Sequence, residues 1–107
     1  ERLIVPAEPA GCDMSWFVFV VRLEDGFTME QRGRILQQMQ SRNIQVSHYF
    51  PPVHLMPFIA EKYGHNSGDF PIAESAAART IALPFHNNLT KDQVTIVCIA
   101  LKQLLCI

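Results

Sequence analysis

The sequence predicts an α+β domain, on three observations. Short runs at 16–23, 44–49 and 80–83 have strand composition. Two longer segments each open with a capping box, Thr28 with Gln31 and Thr90 with Gln93, and continue as apolar stripes at helical spacing. The chain has 107 residues and no repeat, low-complexity stretch or linker, so it forms one domain that buries roughly 65% of its unfolded surface.

Taken in order, residues 1–15 contain Pro6, Pro9 and Gly11 and read as an extended lead-in. The run WFVFVVRL at 16–23 is apolar on both faces until Arg22, which predicts a strand covered on both sides and central in its sheet. Glu24-Asp25-Gly26 ends it with turn residues. In the helix that follows, Met29, Ile35, Leu36 and Met39 form the apolar stripe, while Arg34, Gln37, Gln38 and Gln40 are solvated. Asn43 stands at the C′ position and tolerates the left-handed conformation. The run 44–49 then alternates, with Ile44, Val46 and His48 on its apolar face and Gln45, Ser47 and Tyr49 on the other.

The most unusual stretch is HYFPPVHLMPF at 48–58. It carries His48 and His54, three prolines, and the large side chains Tyr49, Phe50, Leu55 and Phe58. Pro51 and Pro52 fix φ and lack N–H donors, so the chain leaves the sheet here as stiff extended backbone. Such a loop either covers its own core or packs against something large. Beyond it, residues 58–63 suit a short helix ending before Gly64, and 65–68 form a turn-rich loop, the best candidate for mobility. An alanine-rich helix at 72–79 opens at Phe70-Pro71, and Thr80-Ile81-Ala82-Leu83 reads as a short strand halted by Pro84. Val94, Val97, Cys98, Leu101, Leu104 and Leu105 then mark the main core helix.

Composition narrows the function classes. Apolar residues make up 49% and charged residues 18%, and the net charge of −1 leaves no electrostatic footprint for nucleic acid or an anionic membrane. Neither a spanning helix nor a signal peptide is visible. Cys12, Cys98 and Cys106 are odd in number and lack metal-type spacing, which points to reduced thiols in the cytoplasm. His48 and His54 stand six apart across prolines, a spacing no common zinc site uses. Glu74 and Asp69 read as carboxylates that favour a helix N-terminus rather than as catalytic groups. Ser47 and His48 are adjacent on a strand and point to opposite faces, which places them poorly as a nucleophile pair. The residues by themselves show no self-contained active site.

The motifs HYFPPVHLMPF, GDFPIAES and ALPFHNNLTKDQV, in that order and preceded by WFVFVVRL, resemble the C-terminal part of the DegT/DnrJ/StrS family of sugar aminotransferases over about residues 14–105. The closest flavour is the perosamine-synthase-like branch, with a similar YFPPxHLxPF loop. Asn43, where the family often has Gly, and Ile59, where it often has an aromatic residue, are mild departures.

The resemblance implies the small C-terminal domain of a fold-type-I (aspartate aminotransferase-like) enzyme, with a small, mainly antiparallel sheet flanked by helices. It implies a parent that uses pyridoxal phosphate (PLP) to move an amino group from glutamate to a keto-sugar nucleotide. It also implies a missing N-terminal PLP-binding domain, a homodimeric parent, and no nucleic-acid or membrane partner. Lys62, Lys91 and Lys102 match no family Schiff-base lysine, so this portion alone is expected to hold no PLP and to be inactive. A start at Glu1 rather than Met fits a portion of a longer chain and fits a processed one equally well. The loop is expected to wall the substrate cleft, with His54 as the polar contact to sugar or phosphate, Tyr49 and Phe50 as aromatic walls, and His48 beside them. Two alternatives remain open: a PLP-dependent sugar dehydratase of the same family, and a stand-alone binding or regulatory domain without enzymatic activity.

Overall fold

The computed structural model describes residues 2–106. Its elements are strand β1 (Leu3–Ile4), strand β2 (Phe19–Leu23), helix α1 (Met29–Ser41), a 3-10 turn (Val53–Leu55), helix α2 (Pro57–Tyr63), helix α3 (Pro71–Arg79), strand β3 (Thr80–Leu83) and helix α4 (Lys91–Leu105). The architecture is α+β. The three strands form an antiparallel sheet in the order β1-β2-β3, with Leu3 opposite Leu23 and Val21 opposite Ile81.

Both capping boxes form. Thr28 Oγ1 accepts from the Gln31 amide and Gln31 Oε1 accepts from the Thr28 amide; Thr90 and Gln93 repeat the arrangement. One face of the sheet, carrying Val21, Leu23 and Ile81, buries Ile35, Leu36 and Met39 of α1 and Val97, Leu101 and Leu105 of α4. Five of the side chains in this core are essentially inaccessible: Leu23, Met39, Ile81, Leu105 and Val21. Each contributes about 1.5–3 kcal/mol relative to exposure. Arg79 joins α3 to the sheet: it is buried, donates to the Leu23 carbonyl at 3.1 Å, and contacts Asp25. Arg32, also buried, donates to the Ala78 carbonyl at 3.3 Å and ties α1 to α3. The sequence reading had neither arginine inside.

Several expectations are corrected. The central strand begins at Phe19, leaving Trp16 and Phe17 exposed, and its second face is open, since Arg22 is exposed and Val20 only half-buried. The extended lead-in contains an edge strand, β1, held by Arg2 donating to the Leu105 carbonyl at 2.9 Å. The run 44–49 makes a single bridge, Ser47 with Ala82, instead of a strand, so its alternation stops after Val46 and His48 is exposed. Met29, Val94 and Cys98 are exposed, and the last two line an apolar groove of about 530 Å³ between α4 and β1. Among the described residues no helix is long and apolar enough to cross a membrane.

Candidate functional site: the 48–58 loop and its anchor

The way α1 ends sets the course of the loop. Asn43 adopts φ 59°, its amide bonds the Gln40 carbonyl at 2.9 Å, and the Ile44 amide bonds the Met39 carbonyl at 3.1 Å. This double bond pattern turns the chain sharply back onto the core, where Ile44 and Val46 are buried. Ser47 then exchanges two backbone bonds with Ala82, at 3.3 and 2.8 Å, and the chain departs from the sheet. Pro51 and Pro52 lead into the 3-10 turn, closed by the Leu55 amide on the Pro52 carbonyl at 3.0 Å.

That turn directs His54 inward. Its exposure is only 8%, and Nε2 lies 2.9 Å from Glu74 Oε1. The Phe70 ring packs against the imidazole edge-to-face at 4.7 Å, and the His65 ring stands 6.2 Å away. Glu74 also accepts from the Gly68 amide at 2.8 Å, the Phe70 amide at 3.3 Å and the Ser67 hydroxyl at 3.2 Å. The His54 hydrogen bond, followed by the Gly68 amide, holds the Glu74 carboxyl below the ordinary carboxylate range. An ionised carboxylate only accepts, so His54 Nε2 carries the hydrogen. These bonds make the 65–68 loop a stitched segment: Asn66 adds an amide bond to Asp69 at 2.9 Å, and His65 Nδ1 lies 3.6 Å from Asp69.

The other loop residues face outward. Phe50 is exposed, Tyr49 half-buried, and their rings stack at 3.9 Å across a cis peptide bond. Tyr49 lines an open groove of about 800 Å³ together with Phe17, Arg42, Ser47 and His86. His48 is exposed beside them, and Val53, Met56 and Phe58 extend the apolar rim. The structure thus separates the expected set: Tyr49, Phe50 and His48 lie on the outer edge, and His54 at the anchored base. Sequence reasoning recognised Glu74 only as a first-turn carboxylate. The signal for more was available in GDFPIAES, which puts no Ser or Thr at the N-cap and leaves Glu74 to satisfy the orphan amides from within the helix.

The described residues do not fit a PLP phosphate. The Gly68 and Phe70 amides, on the approach to α3, are already taken by the Glu74 carboxylate, whose negative charge disfavours an anion there. Lys62 lies over the rings of Phe58 and Tyr63 at 5.7 and 5.5 Å, and Lys102 borders the apolar groove. No three His, Cys, Asp or Glu side chains among the described residues come together as metal ligands.

Comparison with known proteins identifies relatives of this chain. Protein MJ1066 of Methanocaldococcus jannaschii is 31% identical over 97% of this chain, which spans 27% of that protein. GDP-perosamine synthase of Escherichia coli O157:H7 is 35% identical over 66% of this chain and 18% of its own length. The solved structure of Spr1654 from Streptococcus pneumoniae in its PLP form has the same fold, with a TM-score of 0.87 and 21% identity over 96% of this chain and 26% of that one. The chain therefore spans about a quarter of the length of MJ1066 and of Spr1654. Residues 1–102 match the DegT/DnrJ/EryC1/StrS aminotransferase family, and to that family the chain belongs.

Proposed function

We propose that this chain is the small C-terminal domain of a cytoplasmic PLP-dependent aminotransferase of the perosamine-synthase-like branch, and that it walls the cleft for a keto-sugar nucleotide. The observation that carries this reading is the outward edge of the loop. Tyr49 and Phe50 stack beside an exposed His48, on backbone stiffened by prolines and anchored through His54. A surface already rigid loses little conformational freedom when a ligand binds, which suits a wall that receives substrate. The similarity to GDP-perosamine synthase supports a nucleotide-linked sugar as the acceptor. PLP, held by the absent larger domain, would supply the electron sink for amino transfer. Here the chain's contribution is binding and orientation, by Tyr49, Phe50, His48 and the anchored His54. The parent is a homodimer, and neither nucleic acid nor membrane is a partner.

The test is the full-length gene product with glutamate and a panel of nucleotide-linked keto-sugars. The expected result is a nucleotide-linked amino sugar and one 2-oxoglutarate per turnover. Phe50→Ala is expected to raise KM for the sugar nucleotide by roughly 5- to 30-fold, the value of about 1–2 kcal/mol of aromatic contact. Loss of a sugar oxygen without gain of nitrogen would assign the dehydratase branch instead. A gene that encodes only this portion, with no turnover, would assign a stand-alone binding domain.

A further inference from the structure

We infer that Glu74 is a positioning residue: it fixes the hydrogen of His54 on Nε2 and so presents Nδ1 as a lone-pair acceptor for a hydroxyl of the sugar. The inference rests on the aminotransferase reading above and deepens it by assigning which part of the substrate meets this histidine.

Glu74 is locked from four directions. His54 Nε2 at 2.9 Å, the Gly68 amide at 2.8 Å, the Phe70 amide at 3.3 Å and the Ser67 hydroxyl at 3.2 Å all point at one carboxylate. Turning it away from His54 would strand the Gly68 and Phe70 amides, so the carboxylate stays where it is. The ring is equally fixed, between Phe70 at 4.7 Å and the proline-led 3-10 turn. Its second nitrogen is different. No protein group among the described residues hydrogen-bonds Nδ1, and no buried side-chain nitrogen or oxygen is left without a partner, so Nδ1 touches solvent.

The chemistry follows from the tautomer. With the hydrogen on Nε2, a neutral imidazole offers only a lone pair at Nδ1. A sugar hydroxyl can donate to it. An ionised phosphate oxygen has no hydrogen to give, so the tautomer that Glu74 enforces turns His54 away from the diphosphate and toward the sugar. The sequence-based expectation left sugar and phosphate equal.

The test uses the full-length enzyme. Glu74→Ala and His54→Ala are each expected to lower kcat/KM for the keto-sugar nucleotide about 3- to 10-fold, the loss of one neutral hydrogen bond. The double variant is expected to lose no more than the worse single one, because Glu74 acts through His54. One deoxygenated sugar analogue is expected to be insensitive to both changes. Long-range proton–nitrogen NMR of histidine-labelled enzyme reads the tautomer directly, Nε2–H in the wild type and a mixture in Glu74→Ala. If Glu74→Ala fails to fold, Glu74→Gln, which keeps an acceptor oxygen but also brings a donor, carries the same kinetic and NMR comparison. Multiplying losses in the double variant, equal sensitivity of every deoxy analogue, or a wild-type Nδ1–H tautomer would each overturn the inference. A wild type inert toward every keto-sugar nucleotide would instead overturn the aminotransferase reading, while the NMR arm still reports on the Glu74–His54 pair.

Discussion

Glu74 ties three segments together by hydrogen bonds: the 3-10 turn through His54, the 65–68 loop through Ser67 and Gly68, and the residue before α3 through Phe70. Its carboxyl is held below the ordinary range, chiefly by His54, so the folded state favours the ionised form. A depressed carboxyl stabilises the fold above the unfolded-state value, near pH 4.5, and that contribution disappears as pH falls through the lower folded-state value. In urea unfolding of the chain, the wild type is expected to lose stability between about pH 5 and pH 3 more steeply than Glu74→Gln. Parallel profiles would show that the pair stores no pH-dependent stability. His54 itself illustrates what sequence can miss. The family resemblance singled it out, but its direction depends on a carboxylate twenty positions later, and no local pattern encodes that partner.

Among the elements, those governed by local chemistry were the legible ones. Both capping boxes, the αL residue after α1, the end of α2 at Gly64 (φ 71°) and the stop of β3 before Pro84 follow from residues within a turn of where they act. Elements defined by a distant partner were not. β1 is too short before Pro6 to read as a strand and exists because β2 offers it an edge, whereas the run 44–49 has the alternation but finds a partner only at Ala82. Arg32 and Arg79 are buried because carbonyls of Ala78 and Leu23 await them, which composition cannot announce. Caps carry measurable stability: Thr90→Ala is expected to cost about 1 kcal/mol, and for a domain of this size to lower Tm by roughly 4–8 °C. Thr90→Ser is expected to restore most of it, and equal losses in the two variants would mean that the hydroxyl does not carry the cap. Arg79→Met should cost more, about 3 kcal/mol, because it leaves the Leu23 carbonyl without its buried donor and removes the strap between α3 and the sheet.

At the scale of the whole molecule, this chain leaves a large share of its apolar surface bare. Phe50, Val53 and Phe58 on the loop, Ile72 on α3, and Val94, Ile96 and Ile99 on α4 are all exposed. A monomer seldom shows so much without a partner. The 107-residue chain alone is expected to self-associate in sedimentation at micromolar concentration, with Phe50→Ser and Phe58→Ser together shifting it toward monomer. Strict monomers of the unaltered chain would argue against that patch as a contact face. Absorbance titration is expected to show no saturable PLP binding to the same chain; a stoichiometric adduct reducible onto one lysine would overturn that expectation.

The link between His54 and Glu74 also sets the size of the unit that can be exchanged between relatives. A chimera that imports only the loop at 48–54 would place its histidine against a foreign carboxylate and a foreign 65–70 turn. The smallest coherent graft runs from Ser47, where the chain leaves the sheet, to Glu74, and a swap of substrate preference attempted with anything shorter would confound recognition with a misplaced anchor.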